Sequence, residues 1–174
     1  MTADTGAVKR QTGTAADRAG KYLTFRLAKE EYGIEILHVQ EIIGMAPVTQ
    51  VPKTPDFVRG VINLRGKVIP IVDLRLKFGM DSAEDTEKTC IVVVQVSGAA
   101  GRITMGFIVD EVCEVLDIPA QEIEDAPSFG ASLDTAYILG MAKSKGSVKI
   151  LVDIDKVLSA REVNQIGETE LSEP

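Results

Sequence analysis

Tryptophan is absent from this 174-residue chain, histidine occurs once, and aromatic residues make up only 5% of the sequence. A folded core must therefore be built from valine, isoleucine and leucine. The single histidine, His38, has no serine or cysteine nucleophile motif beside it, so a catalytic triad is not expected. The two cysteines, Cys90 and Cys113, lie too far apart to match the ligand spacing of a zinc site. We therefore expect no catalytic residues, no metal and no cofactor.

Basic charge is also in short supply, since 19 lysines and arginines stand against 26 aspartates and glutamates, a formal net charge of -7. Non-specific binding to nucleic acid or to an anionic membrane needs a basic face, so neither partner is expected. The apolar run Ile91–Val94 is far too short to span a bilayer, which predicts no insertion into a membrane. The segment Met1–Lys21 lacks the apolar region of a signal peptide, so we predict a cytoplasmic protein. Reduced, buried cysteines fit that compartment, and a disulfide between Cys90 and Cys113 is the alternative.

Hydrophobic residues make up 45% of the chain, and they occur in short runs rather than long ones. Tyr22–Leu27 alternates bulky and polar residues with a period of two, which predicts a strand, and Tyr32–Ile36 predicts its hairpin partner. The first 20 residues are small, polar and charged without periodicity, which predicts a disordered tail. For His38–Met45 a helix is an alternative, but the β-branched residues and Gly44 favour a bent strand.

A proline-rich connector, Pro47–Pro55, separates this region from a second hairpin. Strands are predicted at Phe57–Leu64 and Lys67–Leu74, with a tight turn between them that ends at Gly66. Pro70 has no amide hydrogen, so its strand is predicted to be an edge strand or to be bulged there. A short helix capped by Asp73 and stopped by Gly79 follows, and then an acidic boundary at Asp81–Lys88. The second half is predicted to contain strands at Thr89–Val96 and Ile103–Val109, a turn between them at Ser97–Gly101, a connector at Pro119–Pro127, a helix at Asp153–Gln165 and an acidic tail.

The segment Val58–Met80 has a degenerate copy at Ile138–Leu158. Gly60, Gly66 and Asp73 recur at an offset of 80 as Gly140, Gly146 and Asp153, and Tyr32–Ile34 matches Met105–Phe107 at an offset of 73. Chance similarity between valine-rich strands is the alternative to a duplication. Two successive sets of about five short strands, each ending in a helical turn, indicate two small β-barrels packed on each other. The groove at their seam is then the default binding site.

Two pairs of opposite charges occupy equivalent positions in the two halves, Glu41 with Arg65 and Glu114 with Lys145. If the members of each pair are neighbours, each half carries one ion pair; solvated surface charges are the alternative. Arg65 offers a planar fork for bidentate contacts, whereas Lys145 is a point charge, so we assign recognition to Arg65. Asn63, Leu64 and Arg65 do not recur in the second half, where Lys143, Ser144 and Lys145 stand instead. We therefore place recognition at these three positions.

Three stretches are similar to the CheW family of chemotaxis coupling proteins: EEYGIEILHVQEI (Glu30–Ile42), TPDFVRGVINLRGKVIPIVDLRLKFGM (Thr54–Met80) and GFIVDEVCEVLDI (Gly106–Ile118). The resemblance covers residues 21–160 and includes the specific combination NLRG…PIVDLR. It implies a mainly β fold of two intertwined five-stranded Src-homology-3-like β-barrels, with short helices after each barrel and at the C-terminus. Its duplicated halves would be residues 21–80 and 89–158, and residues 161–174 would form a helix end and an acidic tail.

The resemblance also implies an adaptor without catalytic activity. Its partners would be the cytoplasmic tips of chemoreceptors and the regulatory domain of the CheA histidine kinase, with other copies of the chain as a further partner. Isolated, the chain is expected to be a monomer, recruited in cells to receptor arrays at the inner face of the membrane. The residues assigned to receptor and kinase binding are Val39, Glu41, Ile42, Val58, Gly60, Asn63, Leu64 and Arg65, and the kinase-interface loop includes Ala46, Val48 and Val51. A small-ligand sensor or enzyme that uses the groove between the barrels remains the alternative.

Overall fold

The computed structural model describes residues 18–81, 83–98, 101–127 and 137–158, and these form strands with a few short helical turns. The strands are β1 Gly20–Leu27, β2 Glu30–Glu35, β3 Val39–Gly44, β4 Val58–Leu64, β5 Lys67–Asp73, β6 Cys90–Gly98, β7 Gly101–Val109, β8 Glu111–Ile118, β9 Ile123–Glu124, β10 Ile138–Ser144 and β11 Ser147–Val152. The helices are α1 Leu74–Lys77 and α2 Ile154–Val157, and 3-10 turns lie at Ile36–His38 and Ala120–Glu122.

The strands form two sheets that correspond to two small barrels. Barrel I has the strand order β3-β6-β7-β5-β4, and barrel II has the order β8-β1-β2-β11-β10-β9. The predicted fold class, mainly β with two small β-barrels packed on each other, is confirmed.

The strands of each barrel are not successive in the sequence, contrary to the arrangement that the strand pattern indicated. The first hairpin, β1 and β2, pairs with β8 and β11 of the second half, whereas β6 and β7 pair with β3 and β5 of the first half. Alternation of polar and apolar residues is a local property, so it cannot specify which hairpins meet. Barrel I therefore takes one hairpin from the second half of the chain and three strands from the first, and barrel II takes one hairpin from the first half and four strands from the second.

The backbone has the internal symmetry that a duplication predicts. In the parallel pairing of β2 with β11, Gly33 lies opposite Leu151, and in the pairing of β7 with β5, Gly106 lies opposite Ile71. These partners obey the offsets of 73 and 80 that the sequence predicted. A bulge interrupts β4 between Val58 and Gly60, and the same irregularity interrupts β10 between Ile138 and Gly140. Asp73 and Asp153 cap α1 and α2 in the same way, each accepting a hydrogen bond from the backbone two residues ahead.

The core consists of three apolar clusters, and the largest lies between the barrels. β1 contributes Leu23, Phe25 and Leu27 to this central cluster, while the neighbouring Tyr22 points into a smaller cluster inside barrel II. β6 behaves in the same way, with alternate residues of Ile91–Val96 facing the central cluster and the interior of barrel I. Both faces of these strands are therefore buried, which explains the continuous apolar sequence at the start of β6.

Four aromatic rings stack in a row at the seam. The ring centroids of Phe25 and Tyr32 are 6.0 Å apart, those of Tyr32 and Phe78 5.6 Å, and those of Phe78 and Tyr137 5.2 Å. Phe78 follows α1 of the first half, whereas Phe25 and Tyr32 belong to barrel II. The row therefore joins the two barrels through offset aromatic contacts, which add to the stabilisation from buried area.

Pro70 lies in an interior strand, so the prediction of an edge strand is wrong. β5 pairs with β4 on one side and with β7 on the other. The parallel pairing with β7 begins only at Ile71, so one side of the strand is open at Pro70 and no pairing there requires its amide hydrogen.

The ends of the chain differ from the predictions in two respects. β1 begins at Gly20, and the Arg18 side chain bonds to Asp125, so the contacts begin within the predicted tail of the first 20 residues. The helix predicted at Asp153–Gln165 ends at Val157, because Leu158 returns to an extended backbone conformation. The remaining predicted helical residues and the acidic tail lie outside the described residues, as does the tip of the turn at Ser97–Gly101.

The prediction of a bent strand at His38–Met45 is confirmed, because a 3-10 turn leads into β3 and the pairing of β3 with β6 shifts register between Val39 and Glu41. None of the helices in the described ranges is long and apolar enough to cross a lipid bilayer.

Candidate functional site

The hairpin of β4 and β5 presents Arg65 at its tip. Arg65 and Gly66 have φ angles of 52° and 86°, the left-handed conformations that a two-residue hairpin turn requires. The Asn63 side chain accepts a hydrogen bond from the Gly66 amide at 2.7 Å and thereby fixes the turn. Two of the three positions assigned to recognition thus form one local structure, in which Asn63 shapes the turn that presents Arg65.

The predicted ion pair of Glu41 and Arg65 is confirmed. Arg65 Nη1 donates to Glu41 Oε1 at 3.0 Å, and Nη2 donates to Glu41 Oε2, so the contact is bidentate and links β3 to the hairpin tip. The Arg65 side chain is 66% exposed, which leaves much of the guanidinium available to a partner. The equivalent pair in barrel II is also present, with Lys145 Nζ 2.8 Å from Glu114 Oε1. That pair has one contact, as expected for a point charge.

The hydrogen bond from Arg65 holds the pKa of the Glu41 carboxyl below its ordinary value, and it raises the pKa of the guanidinium. Because the Glu41 pKa is lower in the folded protein than in the unfolded chain, the stabilisation from the pair is present above the ordinary glutamate pKa. It is lost as the pH falls through the lowered value. The pair is therefore intact at neutral pH.

We expect the Glu41 pKa to rise towards its ordinary value in Arg65→Ala, because the charge-assisted hydrogen bond is removed. Carbon-13 NMR of the side-chain carboxyl, followed across the acidic range, measures the two titration midpoints directly. Lys67→Ala removes a neighbouring exposed cation of the same hairpin and should leave the Glu41 midpoint close to the wild-type value. Equal midpoints in the wild type and Arg65→Ala would show that the pair does not persist in solution.

Gly60 is buried and holds the connector against β4. Its φ is 139°, and a Cβ atom at this position would lie 2.0 Å from the carbonyl oxygen of Thr49 and 2.9 Å from Val48 Cγ1. The connector is fixed there by two backbone hydrogen bonds between Thr49 and Val61, of 2.9 and 2.8 Å. Gly60 therefore positions the connector that carries Val48 and Thr49, and its assignment to partner binding stays a prediction.

Five of the other assigned residues pack against two different apolar clusters. Val39 and Val58 are partly buried against the central cluster at the seam. Leu64, Ala46 and Val48 are partly buried against the interior cluster of barrel I. Ile42 is 44% exposed, and Val51 lines the depressions that surround the connector. The structure thus places all of the assigned residues on barrel I, but not in a single pocket.

Three open depressions surround the connector. The first, of about 450 Å³, runs along the connector to Val58 and Arg59, and a second, of about 270 Å³, lies between the connector and β4. The third, of about 310 Å³, lies between Met45 and Asp85. In the described parts of the chain, no group of three or more potential metal ligands is present. These three depressions lie around the connector of barrel I, and the groove predicted at the seam stays a prediction.

A cluster of buried charges beside the connector was missed in the sequence. Arg75 is 2% exposed, its guanidinium makes two contacts with Asp73 at 3.1 and 3.0 Å, and Nη1 donates to Asp110 at 2.9 Å. Arg59 also donates to Asp73, at 3.1 Å, and to Asp85 at 3.5 Å. The hydrogen bond to Asp73 raises the pKa of Arg75, so this side chain is charged although it is buried. The feature of the sequence that could have revealed this cluster is Arg75, an arginine that stands two residues after the helix cap Asp73 and between two leucines.

Asp110 connects this charge cluster to barrel II. Its second carboxylate oxygen accepts a hydrogen bond from the Ala28 amide at 2.7 Å, and Ala28 lies in the turn between β1 and β2. Arg75 follows β5 of barrel I, so one carboxylate bonds to elements of both barrels. The cluster therefore acts as a clamp that fixes the relative position of the barrels.

Exposed apolar side chains were only partly anticipated. Leu37 is 88% exposed at the 3-10 turn before β3, and the sequence interpretation did not select it. Val115, 49% exposed, is the equivalent of Ile42 in the second half, and Val148, 54% exposed, is the equivalent of Val68. Each barrel therefore carries solvent-exposed apolar side chains near its ion pair.

Comparison with known proteins identifies the family. The family model described as CheW-like domain matches residues 21–162, which include all of the described strands except Gly20 at the start of β1. The chain belongs to the CheW family.

The relatives in the CheW family support this assignment across both barrels. A protein named chemotaxis protein CheW from Klebsiella aerogenes is 43% identical over 143 residues, which cover 82% of this chain and 84% of that protein. A second protein of the same name, from Bacillus subtilis, is 34% identical over 147 residues and covers 83% and 91%. The crystal structure of scaffolding protein TtCheW from Thermoanaerobacter tengcongensis is similar with a TM-score of 0.72 at 34% identity, covering 83% of this chain and 97% of that one.

Proposed function

We propose that this CheW-family chain is a non-enzymatic adaptor that couples the cytoplasmic tips of chemoreceptors to the regulatory domain of the CheA histidine kinase. The observation that carries the proposal is the match of the CheW-like domain to residues 21–162, with curated relatives of similar length named as chemotaxis proteins. The adaptor works by binding alone, in the cytoplasm and at receptor arrays beneath the membrane. As an isolated chain it is a monomer, and other copies of the chain join it only within the array.

The receptor tip docks at the seam beside the Glu41–Arg65 pair. The guanidinium of Arg65 is mostly exposed and fixed by its partner, so a partner that binds it orders few additional side-chain rotamers. Exposed Leu37 and Ile42 lie on the two sides of Val39, on the same segment, and offer apolar contacts to a helical tip. A small apolar surface with one oriented charge suits a transient interface.

The kinase docks on the kinase-interface loop, at the end of barrel I. Ala46, Val48 and Val51 are partly buried there, on a connector that Gly60 and the Thr49–Val61 hydrogen bonds hold in place. A rigid loop loses less conformational entropy on binding than a flexible one, so its position favours recognition.

A co-sedimentation assay with the purified chain, a receptor cytoplasmic fragment and CheA tests the proposal. The chain should bind each partner separately and should increase the amount of CheA that sediments with the receptor fragment. If the purified chain bound neither partner, the adaptor function would be wrong. The small-ligand alternative gains no specific support from the depressions described above, which lie around the connector and are open.

We expect Arg65→Ala to weaken binding to the receptor fragment by about tenfold, because exposed arginines at interface centres are frequent hot spots. The far-ultraviolet circular dichroism spectrum and the melting temperature should remain close to those of the wild type, because the pair is exposed. Lys145→Ala, the equivalent change in barrel II, is the matched control and should retain receptor affinity. Collapse of the spectrum, or equal affinity in Arg65→Ala and Lys145→Ala, would contradict the assignment.

A further inference from the structure

Arg18 fills a cleft of barrel II. Its Nη1 donates to the carbonyl oxygen of Leu139 at 2.9 Å and to Asp125 Oδ1 at 2.9 Å, and its own carbonyl accepts from the Tyr22 hydroxyl at 2.6 Å. Only 15% of the Arg18 side chain is exposed. The guanidinium lies against the start of β10, 3.1 Å from where a Cβ of Gly140 would be. Arg18 therefore closes this end of barrel II from within the same chain.

The duplication identifies the corresponding place in barrel I. A Cβ on Gly140 would meet the carbonyl oxygen of Glu124 at 2.8 Å and a methyl group of Ile123 at 2.9 Å. A Cβ on Gly60 would meet the same two kinds of atom, from Thr49 and Val48. The pairing of Thr49 with Val61 likewise corresponds to that of Glu124 with Met141. It follows that Gln50 is the equivalent of Asp125, and Arg59 is the equivalent of Leu139.

Arg59 and Gln50, the residues equivalent to the two hydrogen-bond acceptors of Arg18, both line the open depression of about 310 Å³ in barrel I. Its lining residues are Met45, Ala46, Val48, Gln50, Arg59 and Asp85. Arg59 is the bulge residue of β4, and Leu139, whose carbonyl accepts the hydrogen bond from Arg18, is the bulge residue of β10. The guanidinium of Arg59 is held by Asp73 and Asp85. The carbonyl of Arg59 and the Gln50 amide oxygen therefore mark the position that a guanidinium occupies in barrel II.

Barrel I does not supply its own arginine at the equivalent position. Tyr32 and Met105 are equivalent at the offset of 73, and they pair with Phe25 in barrel II and with Val94 in barrel I. Phe25 and Val94 are therefore equivalent too, so β6 lies at an offset of 69 from β1. Arg18 then corresponds to Glu87, an exposed acid. The carboxylate of Asp85 in the lining already pairs with the guanidinium of Arg59, so a guest would be held by the two hydrogen-bond acceptors rather than by an excess of negative charge.

We propose that this depression of barrel I is a socket for an arginine side chain of the protein that docks on the kinase-interface loop. The guest guanidinium donates to the Arg59 carbonyl and to Gln50 Oε1, as Arg18 donates to Leu139 and Asp125. One terminal guanidinium nitrogen has two hydrogens in fixed directions and serves both acceptors at once, as Nη1 of Arg18 does, whereas the ammonium of a lysine is a point donor with weaker directionality. Neutral Gln50 stands where barrel II has a carboxylate, so the guest is held less tightly, which suits reversible docking.

The identity of the partner rests on the proposed function, but the socket itself does not. Nitrogen-15 NMR of the full chain, titrated with N-acetyl-argininamide, tests the socket without any partner protein. Saturable shifts are expected at the Gln50 side-chain amide and the Gly60 backbone amide. The neutral isostere N-acetyl-citrullinamide and N-acetyl-lysinamide should bind several-fold more weakly. Absence of saturable shifts at these two groups, or equal binding of the citrulline compound, would overturn the proposal.

Variants of Gln50 sharpen the test. Gln50→Glu restores the carboxylate of barrel II and should tighten argininamide binding by about three- to tenfold, because the hydrogen bond becomes charge-assisted. Gln50→Leu should abolish the saturable shift at Gly60, and Gln40→Leu, the same change on an exposed part of β3, should not. Gly60 reports on the socket in each variant, since it remains unchanged. Argininamide binding that is the same in all three variants would contradict the socket.

A second measurement tests whether the arginine that enters the socket belongs to CheA. The regulatory domain of CheA should bind Gln50→Leu about tenfold more weakly than Gln40→Leu, in isothermal titration calorimetry. If CheA does not bind the wild-type chain, the adaptor function is wrong, and the argininamide titration still decides whether the socket exists. If CheA binds both variants equally, its arginine does not enter the socket and the proposed guest is wrong.

Discussion

Gly60→Ala is expected to lower the free energy of unfolding by roughly 3 kcal/mol or more, which is a large fraction of the stability of a domain this size. Two costs combine at this position. The backbone has a φ of 139°, which an alanine adopts only with strain of about 1–3 kcal/mol. The added Cβ would lie 2.0 Å from the Thr49 carbonyl oxygen, and a backbone atom cannot move aside as a flexible side chain can. Displacing the connector adds an overpacking cost of about 1–3 kcal/mol.

Two other glycines provide graded controls for this prediction. Gly140 is the equivalent in barrel II, where a Cβ would be 2.8 Å from the nearest backbone oxygen, so Gly140→Ala should destabilise less than Gly60→Ala. Gly44 has nothing within 4 Å of its Cβ position, so Gly44→Ala should have the smallest effect. Urea unfolding curves of the three variants, analysed with a shared m-value, give the order. Equal midpoints for Gly60→Ala and Gly44→Ala would show that the connector does not press on β4.

Arg75→Ala is expected to lower the free energy of unfolding by about 3 kcal/mol, the lower end of the range for breaking a buried ion pair, because the buried Asp73 keeps only the partly exposed Arg59 as a charged partner. Asp73 is 0% exposed and loses two of the contacts that stabilise its charge. Asp110 also loses its guanidinium partner, while it keeps the hydrogen bond from the Ala28 amide. The effect should therefore reach the turn between β1 and β2, although that turn belongs to barrel II.

Hydrogen exchange distinguishes this clamp from a local contact. In Arg75→Ala, amide exchange should become faster at α1 and also at the β1–β2 turn, including Ala28. Arg102→Ala removes an exposed arginine of β7 and should change neither the exchange rates nor the unfolding midpoint appreciably. A loss of less than about 1 kcal/mol in Arg75→Ala would place the ion cluster among those that contribute little to stability.

The parts of the site that were predictable are those encoded twice in the chain. Glu41 and Arg65 were identified as a pair because Glu114 and Lys145 repeat the same opposite charges, and a repeated pattern reports on spatial proximity. The turn at Gly66 was predictable because glycine chemistry in a two-residue hairpin turn is a local property. The cap at Asp73 was predictable for the same reason.

The parts that were missed depend on contacts between distant segments. The role of Gly60 follows from the approach of Thr49, which lies across β4 only after the barrel has formed. Arg75 has the composition of a solvated helix position, and its burial results from Asp73, together with Asp110 at the far end of β7. The exchange of hairpins between the barrels was implied by the resemblance to the CheW family and is observed, but it could not be deduced from alternation, which does not say which hairpins pair.

The exchange of hairpins sets an order of events during protein synthesis. The strands of barrel I lie within residues 39–109, so they leave the ribosome well before β10 and β11 exist. β1 and β2 are made first, yet β2 waits for Leu151 and Val152 before its parallel partner is available. Pairing across more than a hundred residues is slow, and an unpaired strand edge is prone to association with other chains. The hairpin of β1 and β2 is therefore synthesised before the other strands and is the last to gain all of its partner strands. Until then, its unpaired edge stays accessible to other chains.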